Sequence, residues 1–264
     1  MLIVTILALF YFGMYIDRLD FSFGNIDEIF FEKLAVFLNS IAILHFVNLV
    51  LLLRNKYKYL NSELETSAHT PCYVTSMKYS DTNSMPPIEN STFETKTSIT
   101  ERRETCISSR RKYFRNLRII YSQLHDVALL INSTYGFPLL CATNWVLISI
   151  VSAANYAVDL KGTDHLYVLE AVLWSIFSLT LMTIMAVSCS LAVNECSRSP
   201  LIVQKIMLRD DIDSEVMKEL EKMFTQFQAM KIGFSACGLY RIDLSLLCGI
   251  IGATLSYIVI VPQL

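Results

Sequence analysis

The sequence predicts an all-α fold, a polytopic membrane helical bundle with cytosolic helical extensions. Hydrophobic residues make up 53% of the 264 positions and charged residues only 17%, so too little polar surface is available to cover a soluble globule of this length. The apolar residues are concentrated in runs that approach the length of a bilayer crossing. A net charge of −2 gives no general basic field, so a nucleic-acid partner is not expected.

Five apolar runs are candidates for membrane-spanning helices, because a bilayer core of about 30 Å requires about 20 helical residues with few charges. These runs cover residues 1–16, 30–53, 137–158, 167–193 and 244–261. The first run is short, and the core of a signal peptide is an alternative interpretation of it. We favour a span there, because the run lacks the basic leader and the small-residue cleavage site of a signal peptide.

The placement of lysine and arginine predicts the orientation of the spans. Basic residues recur from Arg54 to Arg118 and from Arg198 to Arg241, whereas the opposite loops contain only Arg18 and Lys161. Cytosolic loops of membrane proteins carry the excess of Lys and Arg. The two basic segments should therefore be cytosolic, which places the N-terminus in the cytosol and the C-terminus outside.

The segments between the spans divide the chain into four parts. Residues 1–61 hold two transmembrane helices and an outer loop. Residues 62–109 are rich in Ser, Thr, Asn and Glu, contain Pro71, Pro86 and Pro87, and show no sustained period, which predicts a disordered cytosolic loop. Residues 110–193 hold a cytosolic helix extension and two transmembrane helices, and residues 194–264 hold a cytosolic helix and the final transmembrane helix.

Two amphipathic helices are predicted on the cytosolic side, because apolar residues recur there at helical spacing among charged ones. In the helix over residues 110–131 the apolar positions are Phe114, Leu117, Ile120, Leu124, Val127 and Ile131. In the helix over residues 214–231 they are Val216, Leu220, Met223, Phe224, Phe227 and Met230. The second stripe suits either an anchor helix at a subunit contact or a helix packed on its own chain, and both interpretations stay open.

Motifs for catalysis are missing from the sequence. It contains no glycine-rich phosphate loop, no nucleophile elbow and no pair of histidines at metal-binding spacing, so we expect neither catalytic nor metal-binding residues, no cofactor and no enzyme activity. His45 lies within a predicted span, where we expect a hydrogen-bonded packing residue. A transporter would show repeated halves with interrupted helices, and no such repeat is visible.

The C-terminal 35 or so residues resemble the signature of insect gustatory receptors, in order and spacing. A short amphipathic helix is followed by a glycine-containing turn from Gly233, an Arg-Ile-Asp-Leu segment from Arg241, and a final helix in which Tyr257 and Gln263 keep the family spacing. The stretches 54–61 and 124–140 are also similar to that family. The chain departs from the pattern at three positions, namely Ser256, Pro262 and Leu264.

The resemblance implies a member of a family of seven-transmembrane chemoreceptor ion channels, here without the first two of the seven spans. It implies a tetramer in which the final helix of each subunit lines a central pore, with Tyr257 in the motif and Gln263 as a polar ring. By position in the related odorant-receptor pattern, Ile260 and Leu264 would form an apolar gate. Ile260, Gln263 and Leu264 share one helical face, since they stand at i, i+3 and i+4. A helix end with a snorkelling amide is the alternative for Gln263.

A ligand pocket is expected in the outer halves of the spans, where polar side chains and water meet apolar walls. Its candidate residues lie on the third and fourth of the five predicted spans: Trp145, Ser149, Ser152, Asn155, Tyr156, Tyr167, Glu170 and Trp174. Interfacial belt positions are the alternative for the aromatic residues, and simple hydration is the alternative for Glu170.

The function implied by the resemblance is a gustatory chemoreceptor, a tastant-gated non-selective cation channel subunit in the plasma membrane of sensory neurons. Its partners would be a small-molecule tastant, permeating cations, membrane lipid and related subunits in a homo- or hetero-tetramer. A truncated non-conducting or accessory receptor subunit and a membrane transporter are the alternatives.

Overall fold

The computed structural model describes residues 26–69, 92–158, 165–209 and 212–260. These residues form five helices: α1 (Ile26–His69), α2 (Thr92–Val158), α3 (His165–Met207), α4 (Ser214–Ala229) and α5 (Leu244–Ile260). A two-stranded antiparallel hairpin of β1 (Ser235–Ala236) and β2 (Tyr240–Arg241) lies between α4 and α5. The chain is therefore the all-α membrane bundle that the sequence predicts.

Three of the helices contain segments long and apolar enough to cross a membrane, namely Phe37–Ser67, Glu104–Ser152 and Val172–Met207. They correspond to the second, third and fourth runs of the sequence analysis. The fifth run forms a shorter apolar helix over Leu244–Tyr257 within α5. The first run, residues 1–16, lies outside the described residues.

The loop predicted for residues 62–109 is wrong at both ends. Helix α1 continues to His69, and α2 begins at Thr92. The three prolines of this segment all fall between positions 71 and 87. The flanking polar residues are compatible with an exposed helix as well as with a loop, so composition alone assigned too long a loop.

The extension at 110–131 and the following span form one helix, since α2 runs without a break through Pro138. Its predicted apolar stripe is confirmed at Phe114, Leu117 and Ile131, which are buried, and is wrong at two positions. Tyr121 and Ala128 are buried in place of Ile120 and Val127, which are 45% and 46% exposed. Tyrosine counted as polar in the pattern, but its ring carries enough apolar surface to take the core position.

The chain divides into two compact units, which we describe separately. Unit 1 comprises residues 1–52, 130–191 and 233–264, and unit 2 comprises residues 53–129 and 192–232. The buried side chains of unit 1 include Phe46, Leu139, Met182, Met185, Phe234 and Ala236. Those of unit 2 include Tyr57, Leu60, Leu64, Phe114, Tyr121, Ile206 and Phe227.

Helix α4 packs its predicted stripe inside unit 2, where Val216, Leu220, Met223 and Phe227 are buried. Asp213 caps its N-terminus by accepting a hydrogen bond from the backbone N–H of Glu215 at 3.0 Å. The stripe therefore packs on its own chain, which is the second of the two interpretations left open by the sequence.

Candidate pore helix and ligand-binding residues

The hairpin before α5 makes a tight turn in which two successive residues adopt the left-handed backbone conformation. Cys237 and Gly238 have φ values of 51° and 74°. The N–H of Leu239 donates to the carbonyl of Ala236 at 3.0 Å across this turn. Glycine adopts such a φ without steric cost, whereas cysteine does so at a cost of about 1–2 kcal/mol.

Asp243 starts the final helix. Its carboxylate accepts hydrogen bonds from the backbone N–H of Ser245 at 2.9 Å and of Leu246 at 3.3 Å, and from the Ser245 hydroxyl. The bond from the Ser245 hydroxyl is the main reason why the pKa of Asp243 lies below its usual value. This N-cap is the physical reason for an aspartate in the Arg-Ile-Asp-Leu segment.

Helix α5 has one side toward its own chain and a larger side without contacts there. Ile250 is its one buried residue among those whose side chains the structure describes. Cβ atoms added at Gly249 and Gly252 would meet no atom within 4 Å beyond the adjoining residues and backbone of α5 itself. Ser245, Cys248, Gly249, Gly252 and Ser256 are exposed, and they stand along one side of the helix.

The four pore residues expected from the sequence are described only in part. Tyr257 is half-buried, on the same side of α5 as Ile250 and Thr254. Ile260 is 54% exposed, so it does not contribute to the core of its own unit. Gln263 and Leu264 lie outside the described residues.

The expected ligand-binding residues lie on α2 and α3. Trp145, Ser149 and Ser152 are half-buried and stand at i, i+4 and i+7 on α2, while Trp174 is half-buried on α3. The Ser175 hydroxyl donates to the Ser149 carbonyl at 3.5 Å, which brings the two helices together at this level. Asn155, Tyr156, Tyr167 and Glu170 fall within these helices, but their side chains are outside the description.

The indole N–H of Trp145 is the most informative polar group of this region. It is buried and has no hydrogen-bond partner. Trp174 packs against Phe177 with ring centroids 5.4 Å apart. Sequence reasoning missed Phe177, which stands at i+3 from Trp174 on one helical face, and Ser175, for which no local pattern gives a signal. The region thus has aromatic rings on both helices and a buried indole N–H without a hydrogen-bond partner.

His45 is exposed, so it is not a core packing residue, but it has the hydrogen-bond neighbour that the sequence analysis expected. Its Nδ1 is within hydrogen-bond reach of the Tyr135 hydroxyl, and the two rings are 5.9 Å apart. Among the residues that the structure describes, no three His, Cys, Asp or Glu side chains are grouped so that they could hold a metal ion.

Comparison with known proteins identifies the family. The family model described as 7tm chemosensory receptor matches residues 1–264. The chain belongs to the 7tm chemosensory receptor family. No curated protein matches this receptor significantly.

Two solved structures of the insect olfactory receptor OR5 from Machilis hrabei are similar to this chemosensory receptor. The structure in complex with eugenol has a TM-score of 0.50 at 11% identity, with 89% of this chain and 69% of that chain covered. The other has a TM-score of 0.51 at 11% identity, with 84% and 68% covered. At this identity the likeness establishes the fold of the receptor.

Proposed function

We propose that this receptor is a gustatory chemoreceptor, a subunit of a tastant-gated, non-selective cation channel in the plasma membrane of sensory neurons. One observation carries the proposal, namely the uncovered side of α5. Only one of the described side chains of this membrane helix, Ile250, is buried against its own chain, so lipid or other subunits must cover the rest. Small and hydroxyl-bearing residues form one strip of that side and fit a route for hydrated ions, whereas the exposed Leu244, Ile251 and Leu255 beside the strip suit lipid.

Four copies around a common axis would place the uncovered sides of α5 against one another. A bare ion is costly in hydrocarbon, so a conducting path needs polar groups at its narrow points and an apolar constriction that closes by dewetting. Ser245 and Ser256 would supply hydroxyls along the path, and Gln263 would supply the polar ring. Ile260 and Leu264 would form the constriction.

The tastant would bind between α2 and α3, beside Trp145 and Trp174. Burial of an indole N–H without an acceptor costs about 1–3 kcal/mol, which a ligand with an acceptor oxygen would recover. One of the similar solved receptors is in complex with eugenol, which supports a small-molecule ligand for this chain. Because Lys and Arg favour the cytosolic side, the N-terminus would be cytosolic and the C-terminus extracellular.

Expression of the full chain in cells that lack related receptors tests the proposal. Sucrose, caffeine, denatonium and eugenol would be applied singly during voltage-clamp recording, with surface biotinylation to count receptors. We expect a cation current with at least one compound, and we expect Gln263→Ala to change its ion selectivity or rectification. Gln123→Ala is the control, because that glutamine is exposed on α2 in unit 2.

Two results would contradict the proposal. In the first, receptors reach the cell surface but give no current with any compound, and current appears only when a related subunit is co-expressed. That result would indicate an accessory subunit instead. A Gln263→Ala channel with unchanged conductance, rectification and selectivity would remove that residue from the pore.

A further inference from the structure

The hairpin that precedes α5 is held against α2 at three levels within unit 1. Asn132 contacts Ser235, Gly136 lies against Cys237, and Thr143 is hydrogen-bonded to the Tyr240 hydroxyl. The three α2 residues stand at i, i+4 and i+11, so they share one face of the helix. The hairpin therefore lies along about three turns of α2 rather than touching it at a single point.

Two of these contacts are polar, one between Asn132 and Ser235 and the other between Thr143 and Tyr240. The Asn132 side-chain oxygen accepts from the Ser235 N–H at 2.8 Å, and its amide donates to the Ser235 hydroxyl at 3.5 Å. The Thr143 hydroxyl donates to the carbonyls of Leu139 and Leu140, each at 3.0 Å. Threonine has a single O–H, so while that O–H donates to a helix carbonyl the Thr143 oxygen accepts from the Tyr240 hydroxyl.

Gly136 allows the close approach between these two contacts. A Cβ at this position would lie 3.2 Å from the backbone nitrogen of Cys237, which is tighter than an ordinary contact. The hairpin backbone cannot give way easily at this point, because Cys237 already has a positive φ.

The other side of the hairpin is fixed as well, and it leads directly into α5. Phe234 meets Phe46 of α1 edge to face, with centroids 5.8 Å apart. The N–H of Ile242 donates to the Phe234 carbonyl at 2.9 Å, and Asp243 then caps α5. A displacement of α2 near Thr143 must therefore carry the first turn of α5 with it.

We propose that Asn132, Thr143 and Tyr240 are positioning residues that transmit movement of α2 to the final helix during gating. Trp145 and Ser149 lie on α2 within two turns of Thr143, so ligand binding there would act on the segment that holds the hairpin. This inference rests on the proposed function, which assigns the ligand to α2 and the pore to α5.

A double-mutant cycle tests the transmission. Thr143→Val and Tyr240→Phe each remove the hydrogen bond while preserving the shape of the side chain, and Thr143→Ser should preserve the bond. With whichever of the four test compounds opens the wild-type channel, we expect each single variant to lower the maximal current per surface receptor about 3- to 15-fold. The half-maximal concentration should change less, the double variant should lose no more than either single one, and Thr143→Ser should retain the current.

Thr180→Val is the matched control. Thr180 donates to the carbonyl of Ile176 in the same i−4 manner, but it is exposed and stands on α3 rather than on the α2 face that holds the hairpin. Losses that simply add in the double variant, or an equal loss in Thr180→Val, would overturn the proposal.

Amide hydrogen exchange of the purified full chain tests the link between α2 and the hairpin without a measurement of current. We expect Thr143→Val, a change on α2, to speed amide exchange several-fold in residues 235–248, and we expect Thr180→Val to leave that segment unchanged. Unchanged exchange in Thr143→Val would overturn the proposal even in a conducting channel. If no compound evokes current but exchange rises, the proposed function fails and the mechanical link remains.

Discussion

Tyr57 and Tyr121 lie side by side in the core of unit 2 but differ in what their hydroxyls do. Their rings meet edge to face at 5.6 Å, and both are fully buried. The Tyr121 hydroxyl contacts the Cys196 sulfur at 3.2 Å and donates to the carbonyl of Met230 at 3.1 Å, just after α4. The Tyr57 hydroxyl faces the same Cys196 sulfur, which is a weak acceptor, and it donates to no carbonyl among the described residues. Burial of a polar group is favourable only when its hydrogen bonds are made, so the two hydroxyls should have opposite effects on stability.

Removal of each hydroxyl should therefore give opposite results. Tyr121→Phe leaves a carbonyl at the end of α4 without its donor, and we expect it to lower the free energy of unfolding by about 1–2 kcal/mol. Tyr57→Phe removes a buried hydroxyl that faces only the weak sulfur acceptor of Cys196, and it should leave the stability unchanged or raise it by up to about 1 kcal/mol. Thermal unfolding of the full chain in detergent measures both. A lower midpoint for Tyr57→Phe than for Tyr121→Phe would contradict this account of the core.

At the scale of elements, local sequence patterns predicted α4 well and the contacts of the hairpin not at all. The stripe of Val216, Leu220, Met223 and Phe227 is a local signal with helical period, and the structure buries it as expected. The hairpin is held by Asn132 and Thr143, which stand about a hundred residues earlier in the chain. No local period contains that pairing. The length of α1 was also missed, because an exposed polar helix and a polar loop have similar compositions.

The N-cap of α5 should be sensitive to pH. Hydrogen bonds to the Asp243 carboxylate lower its pKa in the folded chain, so its stabilisation is complete above the unfolded-state pKa of about 4 and is lost as pH falls through the folded-state value. We expect Asp243→Ala to cost about 0.5–2 kcal/mol at pH 7, and Asp243→Asn to cost less. The difference in unfolding midpoint between the wild type and Asp243→Asn should shrink from pH 7 to pH 3.

Glu221→Gln provides the control for this pH series, since Glu221 is exposed on α4 and has no capping role. The difference in unfolding midpoint between Glu221→Gln and the wild type should stay nearly constant from pH 7 to pH 3. A difference for Asp243→Asn that grows as the pH falls would show that the charged carboxylate does not stabilise the start of α5.

At the scale of the whole molecule, the sequence predicted the membrane bundle and the family, because both depend on features that one chain carries. The four apolar runs that lie within the described residues are helical, and the family model matches the full length. The surroundings of α5 could not be predicted in the same way. Whether its uncovered side faces lipid or three further copies depends on other molecules, and the periodicity of an apolar helix is the same in both cases.

Two isoleucines of nearly equal exposure separate these surroundings. Ile260 on α5 is 54% exposed and Ile176 on α3 is 56% exposed, so both side chains are left uncovered by their own chain to a similar degree. If four α5 helices meet at a shared axis, Ile260→Cys should form disulfide-linked dimers in membranes under mild oxidation, and Ile176→Cys should not. Both changes belong in a background with Cys141, Cys237 and Cys248 replaced by serine, because these native thiols are exposed. Non-reducing electrophoresis gives the result. Equal cross-linking at both positions would indicate random collision, and cross-linking at Ile176→Cys alone would place α3 rather than α5 at the subunit contact.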